Sequence, residues 1–235
     1  MQIKDVIDTK HKKLIFKQHG DAKMILAYHT MRNGTCFGGI RLLPHGAGAK
    51  GVKDALRLSE AMTYKLALIG SPYGGCKAVV FLPKEGKSDK FLRDIGVLVE
   101  EEQGKFIAAI DFGFEPKDAI TIRETTEYIF AIVGSEFGQS GVTTAHGVMK
   151  GIRASLNHAY DSDEIAGKSF VVQGLGSVGV VVARELIKEG GNVSVCDLDK
   201  QKLEEFVGVA TIVPPEKFLD LDVDVLVPCG PAYIL

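Results

Sequence analysis

Residues 169–197 constrain the fold of this chain more than any other segment. A short apolar run is followed by three glycines, a helix-like pattern that continues to Lys188, a second apolar run and an acidic residue, Asp197. The glycines are Gly174, Gly176 and Gly179. This order predicts a strand, a tight turn, a helix and a second strand that ends in a carboxylate. With the acid about 20 residues beyond the first glycine, the pattern is typical of a dinucleotide-binding βαβ unit.

The three glycines have separate roles in such a unit. Gly174 permits the sharp turn, Gly176 leaves room for a pyrophosphate, and Gly179 lets the helix pack closely on the strand. The N-terminus of the helix offers free N–H groups and a partial positive charge to phosphate groups. The predicted cofactor-binding turn therefore consists of Gly174, Leu175, Gly176, Ser177, Val178 and Gly179.

Asp197 indicates which dinucleotide the unit would bind. Its carboxylate can accept hydrogen bonds from a ribose 2′-hydroxyl and would repel a 2′-phosphate, so NAD is favoured over NADP. Leu198 and Asp199 follow it, so no arginine is adjacent to hold a phosphate. Glycine triplets also occur in helix-capping turns for packing alone, and a nucleotide-free α/β core is therefore the alternative.

The composition is that of an ordinary globular protein. With 25% charged residues and a formal net charge of −2, the 235-residue chain has no field that would attract nucleic acid or an anionic membrane. No apolar run is long enough to span a bilayer. The four cysteines show no C-x-x-C spacing and the histidines no H-E-x-x-H pattern, so no metal site is predicted. Free thiols suit a reducing cytoplasm, which is the expected localisation.

The distribution of patterns predicts an α/β fold in two domains, residues 1–140 and 141–235. A glycine- and serine-rich stretch at 134–141 is the expected boundary. Strands are predicted at 13–18, 24–31, 78–82, 105–110, 193–196, 209–213 and 223–227, and helices at 52–68, 87–103, 143–160 and 200–206.

Two lysines and one aspartate in the first half are candidates for proton transfer. Lys65 ends a helix-like pattern, and Lys77 follows two glycines and a cysteine just before an apolar strand. A lysine buried in apolar surroundings has a lowered pKa, and its neutral amine can act as a general base. Asp111, at the end of a buried strand, would complete such a set. The alternatives are that both lysines extend to solvent and that Asp111 caps a turn.

Seven segments, taken in order, resemble the glutamate/leucine/phenylalanine/valine dehydrogenase superfamily, and most of all its leucine and phenylalanine branch. The similarity extends over nearly the whole chain, from about residue 13 to residue 229. The segments are residues 37–41, 54–58, 62–65, 74–77, 111–113, 142–148 and 174–179.

The resemblance implies a reaction and its catalytic residues. The reaction is the reversible, NAD-dependent oxidative deamination of an amino acid to its 2-oxo acid and ammonium. Lys77 would activate water for attack on the imine carbon, and Asp111 would relay the proton to and from the amino group. Thr144 would contact the nicotinamide amide. The cofactor carries out the redox step, and the protein supplies position and proton transfer.

The resemblance also implies a substrate site. Lys65 would hold the α-carboxylate, with the backbone of Gly38 and Gly39 close by. Glutamate-specific relatives carry a lysine where this chain has Phe37, and a buried carboxylate without a partner is strongly disfavoured. Phe37 and Ala109 therefore indicate an apolar pocket for a branched or aromatic amino acid, with the alternative that Phe37 is part of the core.

The C-terminus departs from the family pattern. Relatives continue beyond the segment around Cys229, so the expected architecture is an N-terminal α/β domain for substrate binding and oligomerisation, followed by a Rossmann-type NAD-binding domain that lacks its C-terminal half. The family assembles through its first domain, which implies a homo-oligomer. The main hypothesis is a dehydrogenase acting on an apolar L-amino acid, and the alternative is a catalytically impaired NAD-binding or assembly protein derived from that family. The particular amino acid stays open.

Overall fold

The computed structural model describes residues 10–130 and 140–230. The chain divides into two compact units, Met1–Gly134 and Ser135–Leu235, each with its own sheet. The predicted boundary at 134–141 lies largely outside the described residues. Within the described part of the chain, no helix is long and apolar enough to cross a membrane.

The first unit is a six-stranded sheet with helices on both faces. Its strands lie in the order β1-β2-β4-β3-β5-β6, with β1 and β2 antiparallel to their neighbours and the other four strands parallel. The elements are β1 (Lys13–His19), β2 (Ala22–Tyr28), β3 (Cys36–Leu43), α1 (Gly48–Leu68), β4 (Gly74–Phe81), α2 (Asp89–Glu100), β5 (Phe106–Ile110), α3 (Pro116–Arg123) and β6 (Ile129–Phe130).

Alternation along the central strands sends side chains to two separate cores. On β2, Met24 and Leu26 pack with α2 and α3 on one face, whereas Ile25 and Ala27 pack with α1 on the other. Side chains of a strand alternate between the two faces, so the α1 face also receives every second residue of β3 and β4. Lys77 belongs to this face, because its neighbours Cys76 and Ala78 pack on the α2 side.

The prediction that β4 begins at residue 78 was wrong, because the strand begins at Gly74 and includes Lys77. The cause is packing rather than propensity. A methyl group at Gly75 would overlap the backbone of Thr63 in α1, and one at Gly74 would overlap the backbone of Thr30. The two glycines therefore let a helix and a loop lie directly on the strand, although glycine is usually depleted in strands.

Tyr28 provides a test of buried hydrogen bonding in this unit. Its hydroxyl group donates a 2.6 Å hydrogen bond to the Glu102 carboxylate, which also pairs with Lys17. Hydrogen bonds to charged groups contribute about 1.5 to 3 kcal/mol, so Tyr28→Phe should lower the free energy of unfolding by that amount. Chemical denaturation measures it. The control is Tyr64→Phe, because Tyr64 donates a similar bond to Glu60 at the surface and should leave the midpoint unchanged. Equal midpoints for both variants would contradict the prediction.

The second unit has four parallel strands in the order β10-β7-β8-β9. Its main core is formed by α4, α5 and the facing strand residues. The first strand of the unit, β7, thus lies between β8 and β10, which is the arrangement at the switch point of a Rossmann-type sheet. The elements are α4 (Ser140–Tyr160), β7 (Ser169–Gln173), α5 (Gly179–Lys188), β8 (Asn192–Cys196), α6 (Lys200–Leu203), β9 (Thr211–Ile212) and β10 (Val225–Pro228).

The predicted α/β class and the order of an α/β unit before a Rossmann-type unit are confirmed. Some elements are shorter than predicted: β9 has two residues where residues 209–213 were expected. The helix predicted at 200–206 is α-helical only to Leu203 and ends in a 3-10 turn, Glu204–Phe206.

Candidate active site

Lys77 and Asp111 form a direct ion pair across the middle of the first sheet. The Nζ atom of Lys77 donates a hydrogen bond of 2.5 Å to Oδ2 of Asp111. Lys77 lies on β4 and Asp111 follows β5, so the pair reaches across β3, which lies between them. The intervening residue is Gly39, where a Cβ atom would lie 2.8 Å from Lys77 Nζ and 3.0 Å from Asp111 Cβ. The absence of a side chain at Gly39 therefore allows the pair to form.

Burial determines the protonation behaviour of the pair. Lys77 is only 5% exposed, and burial lowers the pKa of its amine below the ordinary lysine value, although the Asp111 carboxylate partly opposes this shift. Burial alone would raise the pKa of Asp111, but the charges of Lys77 and Arg41 outweigh it and lower that pKa. The site thus combines a carboxylate that is ionised at neutral pH with an amine that loses its proton more easily than an exposed lysine.

Arg41 is a third member of this group that the sequence did not single out. Its Nε atom donates a 3.0 Å hydrogen bond to the same Oδ2 atom of Asp111 that Lys77 contacts. Arg41 lies two residues after Gly39 on β3 and therefore on the same face. The sequence did contain this arginine at the end of the family segment 37–41. It did not show which acidic residue the guanidinium group would contact.

An apolar surface continues from the ion pair along β3, β5 and β6. Ala109 pairs in register with Gly39 on one side and with Phe130 on the other. Phe37 is half-buried, with its ring centroid 6.3 Å from that of Tyr73 and 6.4 Å from that of Phe130. Tyr73 and Phe130 are 40% and 56% exposed, so this aromatic cluster is open at its surface. Sequence patterns missed Tyr73 and Phe130 because one lies in a loop and the other in a two-residue strand.

The remaining predicted substrate residues have different surroundings. Gly38 and Gly39 lie inside β3, where the in-register pairing with β4 runs through Phe37 and resumes at Ile40. Lys65 is in the last turn of α1 and is exposed. Of the two alternatives, Lys65 therefore follows the one in which the lysine extends to solvent, because it lies on the outward side of α1 while the next residue, Leu66, is buried. Its role in binding a carboxylate stays a prediction.

The glycine turn of the second unit has the geometry of tight strand–helix packing. Gly174 adopts a φ of +89°, which favours glycine, and a methyl group at Gly179 would overlap the carbonyl oxygen of Gly174. At Gly176, by contrast, an added Cβ atom would meet nothing within 4 Å. Gly176 and Ser177 are exposed at the N-terminus of α5, so the turn is open where a phosphate group would approach.

Asp197 is hydrogen-bonded directly to this turn. Its Oδ2 atom accepts a 2.6 Å hydrogen bond from the backbone N–H of Leu175, and its Oδ1 atom accepts one of 2.8 Å from Asp199. Burial would raise the pKa of Asp197, but these backbone hydrogen bonds outweigh burial and lower it. Lys202, which the sequence did not single out, has its Nζ atom 3.8 Å from Oδ2 of Asp197.

Thr144 lies near the start of α4 and is exposed. A methyl group at Gly141, one turn earlier, would lie 2.6 Å from Cβ of Ser177. The N-terminal end of α4 therefore packs against the glycine turn, on the same unit as Asp197. The contact of Thr144 with a nicotinamide stays a prediction.

Comparisons with known proteins agree with this geometry. Residues 11–128 match the family model described as "Glu/Leu/Phe/Val dehydrogenase, dimerisation domain". The chain is 36% identical to an L-tryptophan dehydrogenase of Nostoc punctiforme, covering 98% of this chain and 66% of the relative. It is also 36% identical to a phenylalanine dehydrogenase of Caldalkalibacillus thermarum (94% and 63% covered). A leucine dehydrogenase of Bacillus subtilis is 34% identical, with 94% and 62% covered.

Solved structures show the same relationship. The crystal structure of the L-tryptophan dehydrogenase from Nostoc punctiforme matches with a TM-score of 0.69 at 35% identity, covering 97% of this chain and 66% of that one. A hetero-hexameric glutamate dehydrogenase from Thermus thermophilus shares the fold, with a TM-score of 0.72 at 20% identity and 94% and 62% covered. This chain thus spans slightly less than two thirds of the length of these relatives. The resemblance seen in the seven sequence segments is confirmed, and the chain belongs to the Glu/Leu/Phe/Val dehydrogenase family.

Proposed function

We propose that the protein catalyses the NAD-dependent oxidative deamination of an apolar L-amino acid to its 2-oxo acid and ammonium. The observation that carries this proposal is the buried Lys77–Asp111 ion pair, which meets across Gly39 beside the aromatic cluster of Phe37, Tyr73 and Phe130. A buried ion pair is weak support for stability, since apolar residues of similar size would often serve as well. Its position beside an open surface is better explained by proton transfer.

The pair can perform the proton transfers that deamination requires. Bound NAD supplies the hydride acceptor for the Cα–H bond. Asp111 takes a proton from the substrate amine as the imine forms, and the neutral amine of Lys77 then takes a proton from water as its oxygen attacks the imine carbon. Asp111 then returns its proton to the nitrogen of the carbinolamine, and as the C–N bond breaks it takes the proton of the hydroxyl group, which releases ammonia and leaves the 2-oxo acid. In this scheme Lys65 and the backbone of Gly38 and Gly39 hold the α-carboxylate.

The residues of the second unit fit a dinucleotide. We assign the pyrophosphate to the open side of the turn formed by residues 174–179, where Gly176 leaves space and the N-terminus of α5 supplies N–H groups. Each carboxylate oxygen of Asp197 accepts one backbone hydrogen bond and keeps a lone pair for a ribose hydroxyl. Thr144, on the adjacent helix, is assigned to the nicotinamide amide.

The substrate side chain is assigned to the aromatic cluster next to the ion pair. A side-chain carboxylate placed on Phe37 and Ala109 would lose water without gaining a partner from either residue. An apolar side chain would instead bury surface against Phe37, Tyr73 and Phe130. Relatives named for tryptophan, phenylalanine and leucine support this class of substrate.

The separate roles of the two units are part of the same proposal. Residues 1–140 bind the substrate and form the subunit contacts of a homo-oligomer, and residues 141–235 bind NAD. The description of the matched family model as a dimerisation domain supports the first assignment. Sedimentation analysis of the protein tests it, and a strictly monomeric protein would contradict it.

A panel of L-amino acids tests the function. With NAD present, NADH formation should be seen with leucine, valine, phenylalanine or tryptophan, and kcat/KM for the best of these should exceed that for glutamate by at least about 10²-fold, since burial of an unpartnered carboxylate costs several kcal/mol. Phe37→Lys should narrow this ratio by supplying a cation. Preference for glutamate in the parent protein, or no NADH with any amino acid, would contradict the proposal.

Cofactor choice gives a separate prediction. Asp197→Ser removes the charge that repels a 2′-phosphate while Lys202 stays nearby, so the ratio of kcat/KM with NAD to that with NADP should fall by at least about tenfold. The matched control is Asp199→Ser, because Asp199 caps α6 through Gln201 and serine can replace it in that role. An unchanged ratio in the Asp197 variant would show that this carboxylate does not discriminate between a ribose 2′-hydroxyl and a 2′-phosphate.

A further inference from the structure

A chain of charged side chains connects α1 to the Lys77–Asp111 pair. Arg41 donates to Asp111 through Nε and also faces α1, where its Nη1 atom lies 3.6 Å from Oδ2 of Asp54. The other oxygen of Asp54 lies 3.8 Å from Nη2 of Arg57. Asp54 is only 2% exposed, so its charge is held inside the protein by these guanidinium groups.

We propose that Arg41, held in place by Asp54, is a positioning residue for the proposed deamination: it shares the Asp111 carboxylate with Lys77 and so leaves the Lys77 amine free to give up its proton. The inference rests on the proposed function for its catalytic meaning. The arrangement of the charges themselves can be tested without turnover.

The physical reason lies in the shared oxygen atom. Asp111 alone would hold Lys77 as an ammonium ion, and an ammonium ion cannot accept a proton from water. Arg41 is always protonated, and it occupies the same Oδ2 atom and repels a second positive charge at Lys77. Burial is the main cause of the lowered pKa of Lys77, and the charge of Arg41 adds to it, whereas Asp111 opposes both.

Asp54 holds Arg41 in the position from which it competes with Lys77 for the Asp111 carboxylate. A guanidinium group has donors on separate nitrogens, so Arg41 can contact Asp111 through one edge and Asp54 through another. A lysine at this position would place one ammonium near Asp111 and could not span both carboxylates. The contact with α1 therefore fixes the side chain of Arg41 over the sheet.

The other titratable groups around Lys77 lie on the neighbouring strands and on α1. Asp111 follows β5, Arg41 is on β3, and Cys76 is the adjacent residue of β4, with its side chain on the opposite face. On the helix side, α1 contributes Asp54 and the exposed Lys65, and His29 directly follows β2, where its backbone N–H donates to the carbonyl oxygen of Gly75. Among the residues that the structure describes, Arg41 is the group that shares Oδ2 of Asp111 with Lys77.

The test is the pH dependence of Lys77 acetylation by acetic anhydride, followed by mass spectrometry of the protein without substrate. In Arg41→Gln and Arg41→Met, the titration of Lys77 should move to higher pH, and acetylation near pH 8 should be about tenfold slower, as expected when a like charge is removed from contact range. Arg41→Lys, which keeps the charge but cannot span Asp111 and Asp54, should give a titration between those of the parent and the neutral variants. Arg57→Gln is the control, because Arg57 contacts Asp54 through the oxygen atom that does not face Arg41.

Turnover provides the second measurement. In Arg41→Gln, kcat/KM should fall about tenfold near neutral pH and recover at high pH, because the fraction of neutral Lys77 is restored there. A loss that is equal at every pH, with an unchanged Lys77 titration in all Arg41 variants, would overturn the inference and leave Arg41 with a structural role. If the parent protein shows no turnover, the proposed function fails, while the acetylation result still decides whether Arg41 controls the amine.

Discussion

Replacing Lys77 by alanine should lower kcat/KM for oxidative deamination by about 10² to 10⁴-fold, the usual contribution of a general base. The variant loses the group that accepts the proton of water, while Asp111 keeps Arg41 as a partner. Because Asp111 keeps a positively charged partner and is partly exposed, no uncompensated buried charge is left and the protein should still fold. Steady-state NADH formation with the preferred amino acid measures the loss, and NADH binding should be retained.

The chain offers a close control for this experiment. Lys87 donates to Asp118 at the same distance, 2.5 Å, so it forms an ion pair of similar geometry in the same unit. Lys87→Ala should leave kcat/KM within about threefold of the parent, because surface and structural ion pairs act on stability rather than chemistry. Full turnover in Lys77→Ala, or equal losses in both variants, would remove Lys77 from the mechanism.

The lowered pKa of Lys77 also predicts how the rate depends on pH. A base must be neutral to accept a proton, so kcat/KM should rise with pH as the Lys77 ammonium loses its proton. Because burial lowers the pKa of this amine, the rise should level off below the pH at which an ordinary lysine titrates, about 10.4. A pH profile over this range measures it, and a rate that falls with rising pH would contradict the assignment.

Replacing Gly179 by alanine should be the most disruptive small substitution in the second unit. The added methyl group would overlap the carbonyl oxygen of Gly174 and lie 3.0 Å from Cβ of Cys229, so α5 would have to move away from β7. Overpacking of this kind in a core costs about 1 to 3 kcal/mol, and the protein should lose both thermal stability and NADH binding. Thermal unfolding and fluorescence titration with NADH measure the two effects.

Gly176→Ala separates cofactor binding from folding. A methyl group there meets no protein atom within 4 Å, so the melting temperature should stay unchanged. If a pyrophosphate occupies that space, the methyl group should nevertheless weaken NADH binding by about tenfold or more. Unchanged affinity in Gly176→Ala would place the pyrophosphate elsewhere, and a stable Gly179→Ala protein would contradict the packing argument.

The second unit could be predicted well from local patterns. In residues 169–197, the strands, the turn glycines and the terminal acid follow one another within a short segment, so each local preference constrains the next. The structure adds what the pattern cannot contain. Asp197 also accepts a hydrogen bond from the backbone of Leu175 in the turn, and Lys202 of α6 lies near the Asp197 carboxylate.

The first unit was less predictable, because its site depends on contacts between distant segments. Strand β3 was not predicted, since its two central glycines hide the alternation of side chains, yet it supplies both Gly39 and Arg41. Lys77 was expected before its strand, and only the packing of α1 on Gly75 explains its place within β4. Family resemblance supplied the candidate residues, and the parallel order of β4, β3 and β5 explains why Lys77 and Asp111 meet.

The most direct test of oxidative deamination is the stoichiometry of a complete turnover with the preferred apolar L-amino acid and NAD. We expect one ammonium ion and one 2-oxo acid for each NADH formed, with all three products lost together in Lys77→Ala. NADH formation without equivalent release of ammonium would contradict oxidative deamination, and ammonium release that is independent of NAD would do the same.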